Sequence, residues 1–176
     1  MTKTKWVLDP AHSSVDFSVR HMMIANVKGT FNNFTAEIEA DPADLTTANI
    51  EFTIETASVD TRNKDRDGHL VSADFFDVEN HPNMTFKATK IEKTDEGEYN
   101  VTGDLTLRGV TKQETFAVSF EGQGKDPWGN EKAGFSATGT LNRSDYGLVW
   151  NAALETGGVL VGDKVKINLQ IQAAKA

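Results

Sequence analysis

The sequence predicts an all-β protein: one antiparallel sheet of about eight strands curled into a closed barrel and interrupted by a short helical insertion around residues 61–77. Three observations predict it. Apolar and polar residues alternate with period two in run after run, which gives each strand a dry and a wet face and therefore antiparallel pairing. Turn residues bound each run. Gly29, Gly103 and Gly139 fall inside runs, where they weaken pairing but permit the bends that closure needs. A chain of 176 residues is long enough for one real core, and a single domain over residues 4–175 holds all of these runs.

Trp6-Val7-Leu8 is a short apolar start ended by Asp9-Pro10. Val15, Phe17, Val19 and His21 then share one strand face, with Ser14, Asp16, Ser18 and Arg20 on the other. Met22, Met23 and Ile24 form an apolar corner. Val27, Gly29 and Phe31 have one parity and Phe34, Ala36 and Ile38 the opposite, so a bulge or bend is expected at Asn32-Asn33. After the polar turn Asp41 to Thr47, Ile50, Phe52 and Ile54 alternate. Met84, Phe86 and Ala88 resume beyond His81-Pro82-Asn83. Asp95-Glu96-Gly97 turns the chain into Tyr99, Val101, Gly103, Leu105 and Leu107. Gly109 to Lys112 turns it back into Phe116, Val118 and Phe120. Gly124 to Lys132, with Pro127 and Gly129 in turn positions, leads to Phe135, Ala137, Gly139 and Leu141. Asn142 to Gly162 is Gly-rich and mixed, with Trp150 and the pair Gly157-Gly158, and Val165, Ile167, Leu169 and Ile171 close the chain.

The insertion breaks the alternation with the acids Asp60, Asp65, Asp67 and Asp74 among the bases Arg62, Lys64, Arg66 and His69. Thr61 is a helix-capping residue type. Gly68 suits the positive φ at which a helix ends, and Leu70 follows as the apolar residue that packs inward. Ser72 can cap a second short turn carrying Phe75 and Phe76. The expected object is a plug, stitched by charge pairs, with Leu70, Phe75 and Phe76 on its apolar side.

The inward faces are heavily aromatic: Phe17, Phe31, Phe34, Phe52, Phe86, Phe116, Phe120 and Phe135, with Val19, Leu105 and other aliphatics between them. Gly29, Ala88, Gly103, Ala137 and Gly139 also point inward and leave room. Aromatic walls with small residues between them suggest a cavity for a long apolar molecule. A solid core is the competing reading. Burial at roughly 25 cal/mol per Å² would supply such a ligand's affinity without charge.

Composition excludes several classes. The net charge of −8 argues against nucleic acid and against docking on anionic membranes. With no cysteine there is no disulfide, thiolate chemistry or Cys-ligated metal. No run reaches the roughly 18 apolar residues of a membrane span, so stable membrane insertion is not expected. Residues 1–10 carry no apolar leader, so a cytoplasmic location is expected. No G-x-S-x-G, phosphate-binding loop or dinucleotide fingerprint is present. The four histidines, His12, His21, His69 and His81, make no H-x-x-x-H pair. His21 lies on the apolar face, as a hydrogen-bonded histidine or as a contact to a ligand headgroup. Asp65, Asp67 and Asp74 could do acid–base work, but beside Arg62 and Arg66 they read as structural partners. Arg20 and Arg66 are fork-shaped donors suited to a phosphate or carbonyl head.

Together the motifs Asp9-Pro10-x-His12-Ser13, Phe17-x-Val19-x-His21, Gly29-x-Phe31, Arg66-Asp67-x-His69-Leu70, Ser72-x-Asp74-Phe75-Phe76, Gly103 to Lys112 (GDLTLRGVTK) and Asp126-Pro127-Trp128-Gly129 resemble the bacterial YceI family, from about Trp6 to Ala173. Asn142 to Leu148, Trp150-Asn151 and Gly157 to Gly162 resemble its signal-less branch. The resemblance implies an extended, lipocalin-like barrel that binds polyisoprenoids, isoprenoid quinones or related amphiphiles. It implies no enzymatic activity; no cofactor and no metal are expected, with a metal near His21 and His69 left open. The expected protein is a non-enzymatic carrier. Its ligand tail would lie on Phe17, Val19, Phe31, Phe34, Phe52, Phe86, Leu105, Phe120, Phe135 and Trp150. Leu70, Phe75 and Phe76 would close one end, and His21, Arg20, Arg66 or His69 would meet the head. Two alternatives stand beside it: a metal-dependent enzyme or isomerase using His21, His69 and Asp67, and a stress-related structural protein with no ligand. A homodimer is left open.

Overall fold

The computed structural model describes residues 3–152, 154 and 160–176. Its strands are β1 (Thr4–Leu8), β2 (Ser14–His21), β3 (Ala25–Phe31), β4 (Phe34–Asp41), β5 (Asp44–Glu55), β6 (Val59–Asp60), β7 (Asn83–Asp95), β8 (Glu98–Leu107), β9 (Val110–Lys125), β10 (Glu131–Asn142) and β11 (Val161–Lys175). One α-helix, α1 (Lys64–Leu70), lies between β6 and β7. Eight strands close a ring in the order β1-β4-β5-β7-β8-β9-β10-β11, shut by pairing of β1 with β11. This is the expected closed antiparallel barrel with one short helix.

The remaining strands form a flap. β11 offers one edge to two partners: Ala173 to Lys175 pair with β1, and Val161 to Gln170 pair with β2. A 3-10 turn at Pro10–His12 separates β1 from β2, capped by Asp9, whose carboxylate accepts the Ala11 N–H. Beyond it β2, β3 and β6 spread away from the ring. The barrel is therefore sealed at the β1–β4 end and flared at the β2–β3 end. Trp6 packs the sealed end with Leu45, Tyr99 and Ala173, its indole N–H donating to the Ala40 carbonyl at 3.2 Å. The larger core cluster holds Phe31, Phe75, Leu105, Phe116 and Tyr146, among others.

Several local expectations change. The parity flip at Asn32-Asn33 is a bend at which the chain leaves β3 on the flap and enters β4 in the ring, so each strand keeps its own regular alternation. The Gly109 to Lys112 turn is tighter than expected: Arg108 and Gly109 turn with φ of 53° and 75°, and β9 has begun at Val110. Gly68 does not end α1; it lies within the helix without positive φ. Thr61 does not cap α1 either. Asn63 does, accepting the Arg66 N–H at 3.0 Å, because Asp67 takes both the N–H and the hydroxyl of Thr61. The room over three strand glycines is not vacant. The Phe17 ring covers Gly29, Phe86 covers Gly103 and Phe116 covers Gly139. The pair Gly157-Gly158 lies outside the described residues.

Met22, Met23 and Ile24 form the β2–β3 hairpin turn, closed by the Ile24 N–H on the His21 carbonyl at 3.2 Å. Both methionines take positive φ, 53° and 61°, at a cost of about 1–2 kcal/mol per residue for an L side chain. Among the described residues no helix is long and apolar enough to cross a membrane.

Candidate ligand cavity

Among the described residues, two cavities have largely apolar linings. The deep one, about 150 Å³, occupies the ring, and apart from Asp16 and Ser136 its lining is apolar. Cross-strand register builds its wall: Phe52 faces Phe86 across β5 and β7, and Phe86 faces Leu105 across β7 and β8. Phe135 lines it from β10. The second cavity, about 480 Å³, lies beneath the plug, where the β2–β3 flap leaves the barrel flared. Val19, Leu70, Phe75, Phe76 and Trp150 line it. Phe17, Phe31, Met84, Leu141 and Ile167 border both cavities, so they form a shared waist. Phe17 and Phe31 stand 5.4 Å apart there, and Phe76 reaches down from the plug edge-on to Phe31 at 5.6 Å. The barrel is thus not filled solid by its own side chains.

Polar groups gather only at the plug end. His21, Arg20, Arg66 and His69, the expected headgroup residues, all border the second cavity. Each already has structural work or a fixed place. Arg66 Nε–H donates to Thr61 Oγ1 at 2.8 Å and Nη2 to the Thr61 carbonyl at 2.7 Å, which locks the plug's entry to the strand before it. His69 Nε2 meets Asp74 Oδ2 at 2.9 Å, and its ring stands edge-on to Phe75 and Trp150 with centres 5.0 and 4.7 Å away. Arg20 reaches over the rim and donates to the Met23 carbonyl at 2.7 Å. His21 is half-buried at the end of β2.

Two of the expected tail contacts sit elsewhere. Phe34 is partly buried and packs against the larger core cluster. Phe120 packs against Phe135, with ring centres 5.4 Å apart, at the sealed end. Neither lines the deep cavity or the plug-end cavity. His21, His69 and Asp67 do not converge: Asp67 is held by Thr61 and His69 by Asp74, and among the described residues no three His, Cys, Asp or Glu side chains gather as a metal site would need.

Arg143 and Tyr146 carry no site motif in the sequence. Arg143 is buried, borders the second cavity and spends its guanidinium on the carbonyls of Leu148, Val161 and Gly162. Burial lowers its pKa, which Asp163 partly opposes. Tyr146 is fully buried and donates to Glu114 Oε2 at 2.8 Å; burial first, then that carboxylate, raises its pKa far above the ordinary phenol value. Both lie in the stretch Asn142 to Leu148, whose mixed pattern follows no strand period and gave no sign of burial. Arg108 ties this segment to the plug, donating to the carbonyls of Gly147 and Ala73 at 2.6 and 2.7 Å.

Comparison with known proteins agrees with this architecture. A family model described as a YceI-like domain matches residues 6–173. A UPF0312 protein of Staphylococcus epidermidis is 45% identical over 164 residues, 93% of each chain. The crystal structure of Burkholderia cenocepacia BcnA superimposes with a TM-score of 0.82 at 27% identity, covering 94% of this chain and 98% of that one. A polyisoprenoid binding domain from Saccharophagus degradans, implicated in plant cell wall breakdown, shares the fold with a TM-score of 0.69 at 12% identity, covering 98% and 99%. On the family match and the shared barrel, the chain belongs to the YceI family.

Proposed function

We propose that this protein is a non-enzymatic carrier of a single long isoprenoid-like lipid: a polyprenyl chain, an isoprenoid quinone or a related amphiphile. The observation that carries the reading is the pair of cavities that share the Phe17–Phe31 waist, apolar in the depth of the ring apart from Asp16 and Ser136, with Arg and His side chains bordering the one beneath the plug. An amphiphile placed there has its tail against Phe52, Phe86, Leu105 and Phe135, its middle at the waist and its head near Arg66, His69 and His21. Together the two volumes fall in the ~300–1,000 Å³ range of small-molecule sites. Each Å² of tail removed from water is worth roughly 25 cal/mol before the costs of ordering are subtracted. The polyisoprenoid binding ascribed to the Saccharophagus degradans domain points the same way, although that domain shares only the fold. Binding rather than catalysis also suits His69 and Asp67, whose carboxylate and hydroxyl partners hold them as parts of the plug.

Native mass spectrometry of protein purified from its own host tests the reading, with delipidated protein titrated with a prenyl alcohol beside it. A bound lipid mass and a change in fluorescence on titration, reduced by Trp150→Phe, are expected, since Trp150 borders the plug-end cavity and Trp6 the deep one. Bare protein with no response to any added prenyl lipid would remove it.

A further inference from the structure

The β2–β3 turn puts the wrong residue types in a demanding conformation. Positive φ at both central residues is what the tight hairpin turn requires, and Asn-Gly satisfies it at least cost. Here the positions are Met22 and Met23. Their side chains are not buried in the fold: Met22 is 44% exposed, Met23 56% and the following Ile24 78%. Strain combined with apolar exposure points to a role outside the fold.

The position of the turn says which role. Met22 N–H donates to the Leu160 carbonyl at 2.7 Å, and Leu160 N–H donates to the Ala152 carbonyl at 2.9 Å. Arg20 holds the Met23 carbonyl. Leu160 and Arg20 both border the plug-end cavity. Val149, 67% exposed, directly precedes Trp150 of the same lining. The exposed apolar side chains therefore sit at the edge of the cavity and not on a remote face.

We propose that Met22, Met23, Ile24 and Val149 form a docking tip for the surface of a zwitterionic lipid bilayer, at the edge of the cavity that receives the lipid. A bilayer, apolar inside and polar at its surface, is the occupant that continues a cavity whose wall is apolar and whose rim carries Arg20, His21 and Arg66. Flexible methionines suit a fluid, irregular surface. The net charge of −8 favours a neutral surface over an anionic one. A second copy of the chain is the lesser fit, because a stable protein interface takes roughly 20–30 residues a side. The purpose of the tip rests on the lipid-carrier reading; its test does not.

The test compares the full chain with the double variant Met22→Asn, Met23→Gly, which supplies the favoured turn pair. Lipid-free protein is floated with phosphatidylcholine vesicles. The wild type should float with the vesicles and the variant on the order of tenfold less, while the variant melts at a higher temperature because the turn is relieved. A prenyl alcohol delivered from ethanol should bind both equally, but uptake from vesicles should slow on the order of tenfold in the variant. Equal flotation of the two proteins, or no flotation of the wild type, overturns the proposal. So does a dimer by sedimentation velocity that the variant loses without any vesicle binding, which would assign the tip to a second copy. If neither protein binds the alcohol from ethanol while flotation still differs, the docking tip stands and the carrier reading falls.

Discussion

Phe17 lies directly over Gly29: a Cβ added at that glycine would run into Phe17 Cζ. The two are cross-strand partners in β2 and β3, and the ring they position is part of the waist between the cavities. Gly29→Ala must push the ring off its seat. It should cost about 1–3 kcal/mol, as overpacking does, and weaken lipid binding as well. Urea denaturation followed by prenyl alcohol titration checks both.

Gly68 has the opposite character. Its place in α1 leaves nothing within 4 Å of an added Cβ. Gly68→Ala should therefore stabilise the protein by about 0.5–1 kcal/mol through helix propensity. A helix-ending glycine with positive φ would give a loss, so the sign of the change in urea midpoint separates the two conformations.

Ala137 borders the deep cavity from β10. Ala137→Phe fills that volume and leaves the plug end untouched. Affinity for long prenyl chains should fall on the order of tenfold, about 1.4 kcal/mol, while short chains bind as before. A chain-length series by native mass spectrometry is the measurement.

Asp9 sets an acid dependence on the β1–β2 seam. Its pKa is held below the ordinary 3.8, first by the hydrogen bond from His12 and also by the Ala11 N–H and the Lys132 charge, against a smaller opposing effect of burial. The charged carboxylate thus stabilises the fold fully above the ordinary value, and the contribution fades as pH falls through the lowered one. Asp9→Asn should melt earlier than the wild type at neutral pH, with the gap closing in strong acid. Thermal melts across the acid range show whether it does.

Period-two alternation was enough to read the ring, because burial of one face writes itself into every second residue. Phe52, Phe86, Leu105 and Phe135 could be placed on the cavity wall for that reason. Parity does not say how far along a strand the hollow extends, so Phe34 and Phe120 were indistinguishable from the lining residues. Nor does it register competition for one hydroxyl. Thr61 carries a capping side chain, yet Asp67 claims it and Asn63 takes the cap. The burial of Arg143 was invisible because its partners are backbone carbonyls, which have no sequence signature.

The last strand carries both seams, since β11 pairs with β10 on one edge and with β1 and then β2 on the other. Because Ala173 to Lys175 supply the pairing with β1 that shuts the ring, no order of strand assembly can enclose the interior before β11 is docked on both sides.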